Sequence, residues 1–195
     1  MSPRNSRPMT SGQIHYCGLD QWWETAFTPE ERHFVRLKYG ESVDCGNDFL
    51  SPRSPLEFLG NLASWFIKDE ERSIAYRMLE QAELFFDLET SVLNKHFFLQ
   101  NCIEVYYRGR SEIPSRLPDA IRACERQIAM APEAAKAFRE EYPYDEALPA
   151  HVGYKQLCII LAGEQTARAI QLARQALDAG WAGDWDRRIE SMSKD

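Results

Sequence analysis

The sequence predicts an all-α fold, and three observations carry that prediction. Helix-start signals recur along the chain, at Thr28-Pro29-Glu30-Glu31, at Ser54-Pro55-Leu56-Glu57 and at Pro118, Pro132 and Pro149. Between them, apolar residues fall three and four positions apart, the period of a helix. No stretch alternates with period two between turn residues at both ends, so no sheet is expected. The pattern gives about eight or nine helices.

Each element follows from local chemistry. Thr28 is an N-cap with Pro29 at the first helical position and Glu31 three residues on, a capping-box arrangement. That helix is expected to run to Tyr39 and stop at Gly40. Ser54 opens a second helix whose apolar stripe is Leu56, Leu59, Ala63, Phe66 and Ile67. Asp69 is expected to cap the next, in which Ile74, Ala75, Met78, Leu79, Ala82, Phe85 and Phe86 lie on one face. The segment Ser91 to Tyr107 is apolar on most sides and reads as a central helix packed by several neighbours. Pro118, Pro132 and Pro149 suit first turns, where a missing N–H costs nothing, and open helices at about 118–130, 132–141 and 149–161. Glu164 to Ala179, ended by Gly180, and Asp184 to Met192 complete the set.

Length and charge set the class. The 195 residues are 44% hydrophobic and 27% charged, with a net charge of −7. Such a chain supports one domain with a real core. Residues 1–13 read as a flexible tail and 14–195 as a single all-α domain. No apolar run is long enough to cross a membrane, and no signal segment opens the chain, so a cytoplasmic protein is expected. Charge is uneven: residues 20–90 carry 7 basic and 15 acidic side chains, while 91–195 carry 14 and 15. The acidic half is therefore 14–90. A nucleic-acid surface, which needs several cations on one face, is not expected. The basic run Arg108, Arg110 and Arg116 reads as a solvated loop or an anion contact. Five cysteines without close pairs do not form a disulfide framework; Cys102, Cys124 and Cys158 read as small core residues.

The C-terminal half repeats itself. Ala120, Cys124, Gln127 and Pro132 lie over Ala169, Ala173, Ala176 and Trp181, each pair offset by 49 residues. A His stands near the start of each preceding helix, His96 and His151, 55 residues apart because the first unit has the longer interhelical loop. Small residues every three to four positions let helices approach closely and hairpins stack.

This order of positions resembles the second helix of a tetratricopeptide repeat, over about residues 91–183. The resemblance implies stacked antiparallel hairpins in a right-handed superhelix, closed by the polar capping helix after Asp184. Two positions depart from it: Gln127 stands where Ala is usual, and Trp181 where Pro is usual. It also implies a protein-interaction scaffold whose first helices line a concave face. Lys155, two before Leu157, matches a position where similar repeats place a Lys against a peptide carboxylate. The companion position, usually Asn, is Ile159 here.

No phosphate loop, dinucleotide fingerprint, nucleophile elbow, His-Glu-x-x-His or Cys-x-x-Cys is present. His15, Cys17, His33 and Cys45 have no zinc spacing, and Asp44, Asn47 and Asp48 have no calcium-loop spacing. No catalytic, cofactor or metal site is therefore assigned. The expected function is a non-enzymatic scaffold for a protein or peptide partner, monomeric or a small homo-oligomer. Its candidate groove residues are His96, Arg108, His151, Tyr154 and Lys155. The alternative is a small-ligand binder or enzyme with a pocket between the two halves.

Overall fold

The computed structural model describes residues 11–46, 53–145 and 147–194. Of the tail expected at residues 1–13, residues 1–10 lie outside the described residues, as do Asn47 and Asp48, while Gly12 and Gln13 are buried in the first helix. The fold is all-α: eleven α-helices occur among the described residues, with one short strand pair. The chain divides into two compact units, Met1–Phe85 and Phe86–Asp195.

The first unit begins with two short helices that the sequence did not announce, α1 (Gly12–Tyr16) and α2 (Asp20–Ala26). Neither has a side-chain cap. The third helix, α3 (Pro29–Tyr39), starts and stops where expected. The Thr28 hydroxyl accepts from Glu31 N–H at 3.2 Å, and Glu31 Oε2 accepts from Thr28 N–H at 2.9 Å. Helix α4 (Pro55–Ala63) is capped by Ser54 and ends before Phe66, which is nonetheless fully buried. Asp69 does not cap α5 (Arg72–Glu83). Its carboxylate accepts from the Arg72 guanidinium at 2.6 Å, and Asp69–Glu71 forms a 3₁₀ turn instead. Helices α4 and α5 pack as a hairpin whose inner faces bury Leu56, Leu59 and Leu62 on one side and Ile74, Met78 and Leu79 on the other.

The second unit holds the repeat. Helix α6 (Val92–Arg108) is capped by Ser91 and continues into a 3₁₀ turn, Gly109–Ser111. It is followed by α7 (Arg116–Ala129) and α8 (Ala131–Glu141). Helices α9 (Val152–Leu161), α10 (Thr166–Asp178) and α11 (Trp185–Met192) complete it. Pairwise packing runs α6 on α7, α7 on α9 and α9 on α10, with α6 also meeting α7's far neighbour α9. Helix α6 packs against α7, α8 and α9, the central position expected of a helix apolar on most sides. The 49-residue offset is a burial register: Ala120, Cys124 and Gln127 are fully buried on α7, as are Ala169, Ala173 and Ala176 on α10.

One expectation is corrected. Pro149 does not open a helix: it lies in β1 (Leu148–Ala150), which pairs in parallel with β2 (Trp181–Ala182). Helix α9 starts three residues later, with His151 as its N-cap. Proline is tolerated in such a short edge segment because it lacks only a donor.

Candidate functional site

The groove residues named from the sequence separate into two places in the second unit. Three are buried in an aromatic cluster, and two line an open cleft.

The cluster is built around the position where the repeat departs from its pattern. Gln127 is fully buried on α7. Its Nε2 donates to the carbonyl of His96 on α6 at 2.9 Å, and its Oε1 accepts from Gly153 N–H on α9 at 2.7 Å. One side chain thus ties three helices, which an Ala there would not do. It also satisfies a first-turn N–H that has no partner within α9. Gly153 makes this approach possible, since a Cβ there would stand 2.7 Å from Gln127 Oε1 and 3.1 Å from the Cys124 carbonyl.

His96 and His151 meet beside Gln127, with ring centroids 5.1 Å apart and nearly perpendicular. They are 1% and 0% exposed, so they pack in the core rather than face a groove. Trp181, the other departure from the pattern, stacks on His96 at 5.8 Å and meets His151 edge-on at 4.7 Å. Phe138 of α8 meets His96 and Trp181 edge-on.

Hydrogen bonding sets the tautomers. His151 Nδ1 accepts from Tyr154 N–H at 3.3 Å, so its proton sits on Nε2. Gln127 Nε2 lies 3.4 Å from His96 Nε2, which places the His96 proton on Nδ1. His96 Nδ1, His151 Nε2 and Trp181 Nε1 have no oxygen or nitrogen partner. Burial pulls His96 down to about 4; burial and then the charge of His96 pull His151 down to about 3. Both rings are neutral at pH 7, and neither is placed for proton transfer to a solvent-borne substrate.

Tyr154 is buried against His151 at 4.7 Å and Trp185 at 6.5 Å, and burial raises its phenol. Trp185 donates to the Trp181 carbonyl at 2.7 Å. The C-terminal tryptophan pair is therefore core, pinning α11. Gly183 leaves the room: a Cβ there would meet the Trp185 ring at 2.6 Å. Cys102, Cys124 and Cys158 are buried, and burial raises the thiols of Cys124 and Cys158 to about 12 and about 11. These two are packing residues, protonated at neutral pH.

Arg108 and Lys155 stand apart from the cluster, together. They line a cleft of about 490 Å³ between α6, its 3₁₀ extension and the first turns of α9. Ile103, Tyr107 and Val152 supply its apolar wall, Gln100 and Gln156 its amides. Arg108 pairs with Glu104 one turn back at 3.0 Å. Arg110, on the 3₁₀ turn, lies over the Tyr107 ring at 3.8 Å and donates to the Tyr107 carbonyl at 2.6 Å. Arg116, the third member of the basic run, is turned to Asp119 at 3.1 Å and does not reach the cleft. Of the nine lining residues only Arg108 and Lys155 were selected from the sequence; Arg110 and Gln156 are the polar ones it missed that bear on binding. The basic run pointed to Arg110; nothing in the sequence pointed to Gln156.

Among the described residues, no three His, Cys, Asp or Glu side chains converge to hold a metal ion, and no helix is long and apolar enough to cross a membrane. No family model, curated protein or solved structure matches the chain.

Proposed function

We propose that the chain is a non-enzymatic helical-repeat scaffold of the tetratricopeptide-like kind, and that a protein or peptide segment docks in the cleft between α6 and α9. The observation that carries this reading is which helices wall the cleft. They are the first helices of the two units related by the 49-residue offset, and their open side chains, Arg108, Arg110 and Lys155, are exposed. The histidines, which an enzyme reading would use, are consumed in the core between those helices. Helix α11 supports a monomer or small oligomer: it packs on α10, buries Trp185 and is polar on most sides, as a capping helix is.

Site-specific crosslinking tests the reading. A photoreactive residue is placed at Lys155, or at Lys136 on α8 as the control. The expected result is one discrete adduct from position 155 in extracts of the source cells. That adduct is absent from position 136, and its partner binds the purified chain when made recombinantly. Identical adducts from both positions, or none from 155, would overturn it.

A further inference from the structure

We infer that the occupant of the α6–α9 cleft is an acidic, extended segment of another protein, held by its side-chain carboxylates. The inference rests on the docking proposal above and deepens it.

Charge comes first. The cleft carries three cations, Arg108, Arg110 and Lys155, against one carboxylate, Glu104. The surrounding residues 91–195 hold 14 basic and 15 acidic side chains. The local excess is therefore an arrangement, not a reflection of composition. Glu104 is already spent on Arg108. Arg110 and Lys155 form no ion pair within 4 Å among the described residues, although Lys155 stands near enough to Asp184 to help hold that carboxyl down.

Preorganisation comes second. The Arg110 guanidinium lies over the Tyr107 ring and is anchored through one N–H to the Tyr107 carbonyl. Its remaining N–H groups form a planar fork, the geometry that matches a carboxylate. Fixing the side chain in advance lowers the entropy lost on binding. Across the cleft on α9, the amide Nε2 of Gln156 is buried and has no acceptor. It is a donor that an incoming carboxylate or peptide carbonyl would satisfy.

Wall chemistry comes third and separates a peptide from a nucleic acid. Tyr107 and Val152 are part-exposed in the cleft over the buried Ile103, and Ile159, one turn beyond Lys155 on the same helix, is 43% exposed. Apolar side chains alternating with carboxylates cover such a surface. A phosphate backbone would leave the apolar wall wet, meet Glu104, and find too few cations for the multiple phosphates that sustain nucleic-acid binding.

The test uses the full chain and three labelled twelve-residue probes, of alternating Glu and Leu, Gln and Leu, and Lys and Leu. Fluorescence anisotropy at low salt reads the affinity. The Glu probe is expected to bind about ten-fold more tightly than the Gln probe and to weaken as salt rises. Lys155→Glu and Arg110→Glu are each expected to weaken it by about ten-fold. Lys136→Glu, a reversal outside the cleft, is expected to leave it unchanged; circular dichroism checks that all three variants fold. Equal affinity for the Glu and Gln probes overturns the acidic occupant. So does an equal loss in Lys136→Glu, or tighter binding of a single-stranded oligonucleotide of the same length. If the acid preference fails while crosslinking from position 155 persists, only the partner's chemistry is wrong. If both fail, the cleft is not a docking site.

Discussion

The two units cross-link their helices with opposite chemistry. In the first, charged groups span the elements. The Asp44 carboxylate is buried between Trp23 of α2 and Arg36 of α3, accepting from each at 2.7 Å. Lys38 of α3 pairs with Glu71, and Glu31 of α3 with Arg77 of α5. In the second unit the buried cross-links are neutral: Gln127, His96 and His151 among aromatic rings. The difference follows from what each unit packs. In the second, Gly153 lets α9 come close to Gln127 and the Cys124 carbonyl of α7, and one neutral amide joins the helices there. In the first unit the bridges are long ion-paired side chains, Arg36 to Asp44, Lys38 to Glu71 and Arg77 to Glu31. The first unit should therefore fail when a charge is removed, and the second when a charge is added.

The largest expected effect removes a charge. Asp44→Ala strands the Arg36 guanidinium and the Trp23 N–H in a site where the carboxylate is 4% exposed. Breaking a buried pair this way costs about 3–5 kcal/mol. Hydrogen exchange read peptide by peptide should show the loss in α2 and α3, with protection of α6 to α10 unchanged. Equal loss in both units would break the comparison.

Adding a charge comes next. Both histidines have folded values below the ordinary 6.5, so the folded state binds fewer protons than the unfolded one. Their contribution is complete above pH 6.5. It falls as pH drops through that value, and the loss continues to about 4 and about 3. One pH unit below 6.5 each histidine costs about 1.4 kcal/mol, so the pair costs about 3 kcal/mol between pH 7.5 and 5.5. In the first unit the Arg77 hydrogen bond holds the Glu31 carboxyl below its ordinary 4.5, so loss from that group begins only below about pH 4.5. Exchange at the two pH values should thus weaken the second unit alone. His151→Asn, neutral and still able to cap α9, should remove about half the effect. A pH-independent second unit would show that the two rings are hydrated.

How much of this was legible depended on range. The caps at Thr28 and Ser54 were read from four consecutive residues each, because a cap is a local bond; that of Ser91 is just as local but was not read from the sequence. The 49-residue offset was legible because close packing admits only small side chains at fixed spacing. Helices α1 and α2 were not legible: at five and seven residues, uncapped, they rest on tertiary packing such as the burial of Ile14 and Trp23. The strand pair joins Leu148 to Trp181, a partner 33 residues away with no local trace. The site was half legible. Lys155 and Arg108 could be placed on first helices, but the burial of His96 and His151 depends on Trp181 closing over them.

A smaller effect separates close packing from hydrogen bonding in the second unit. Gly153→Ala pushes a methyl into Gln127 Oε1 and the Cys124 carbonyl. Gln127 must withdraw, and its bond to α9 is lost, for about 2 kcal/mol. Thermal unfolding of the variant measures it. A change within 0.5 kcal/mol, roughly the surface-substitution range, would mean that α7 and α9 are not held at this distance.

The smallest effect compares one cap in each unit. Thr28→Ala and Ser91→Ala each remove a hydroxyl that accepts a first-turn N–H at 3.2 Å, worth about 1 kcal/mol. The two are not equivalent. Thr28 belongs to a capping box whose Glu31 also holds Arg77 of α5, so loosening the cap loosens a charged bridge between helices. Ser91 caps α6 alone, and its own N–H is held by Glu89 at 2.8 Å. Thr28→Ala should therefore cost more than Ser91→Ala, and the excess should vanish in an Arg77→Met background. Persistence of the excess without Arg77 would place the difference in the cap, and would remove the coupling between local bonds and charged bridges that distinguishes the first unit from the second.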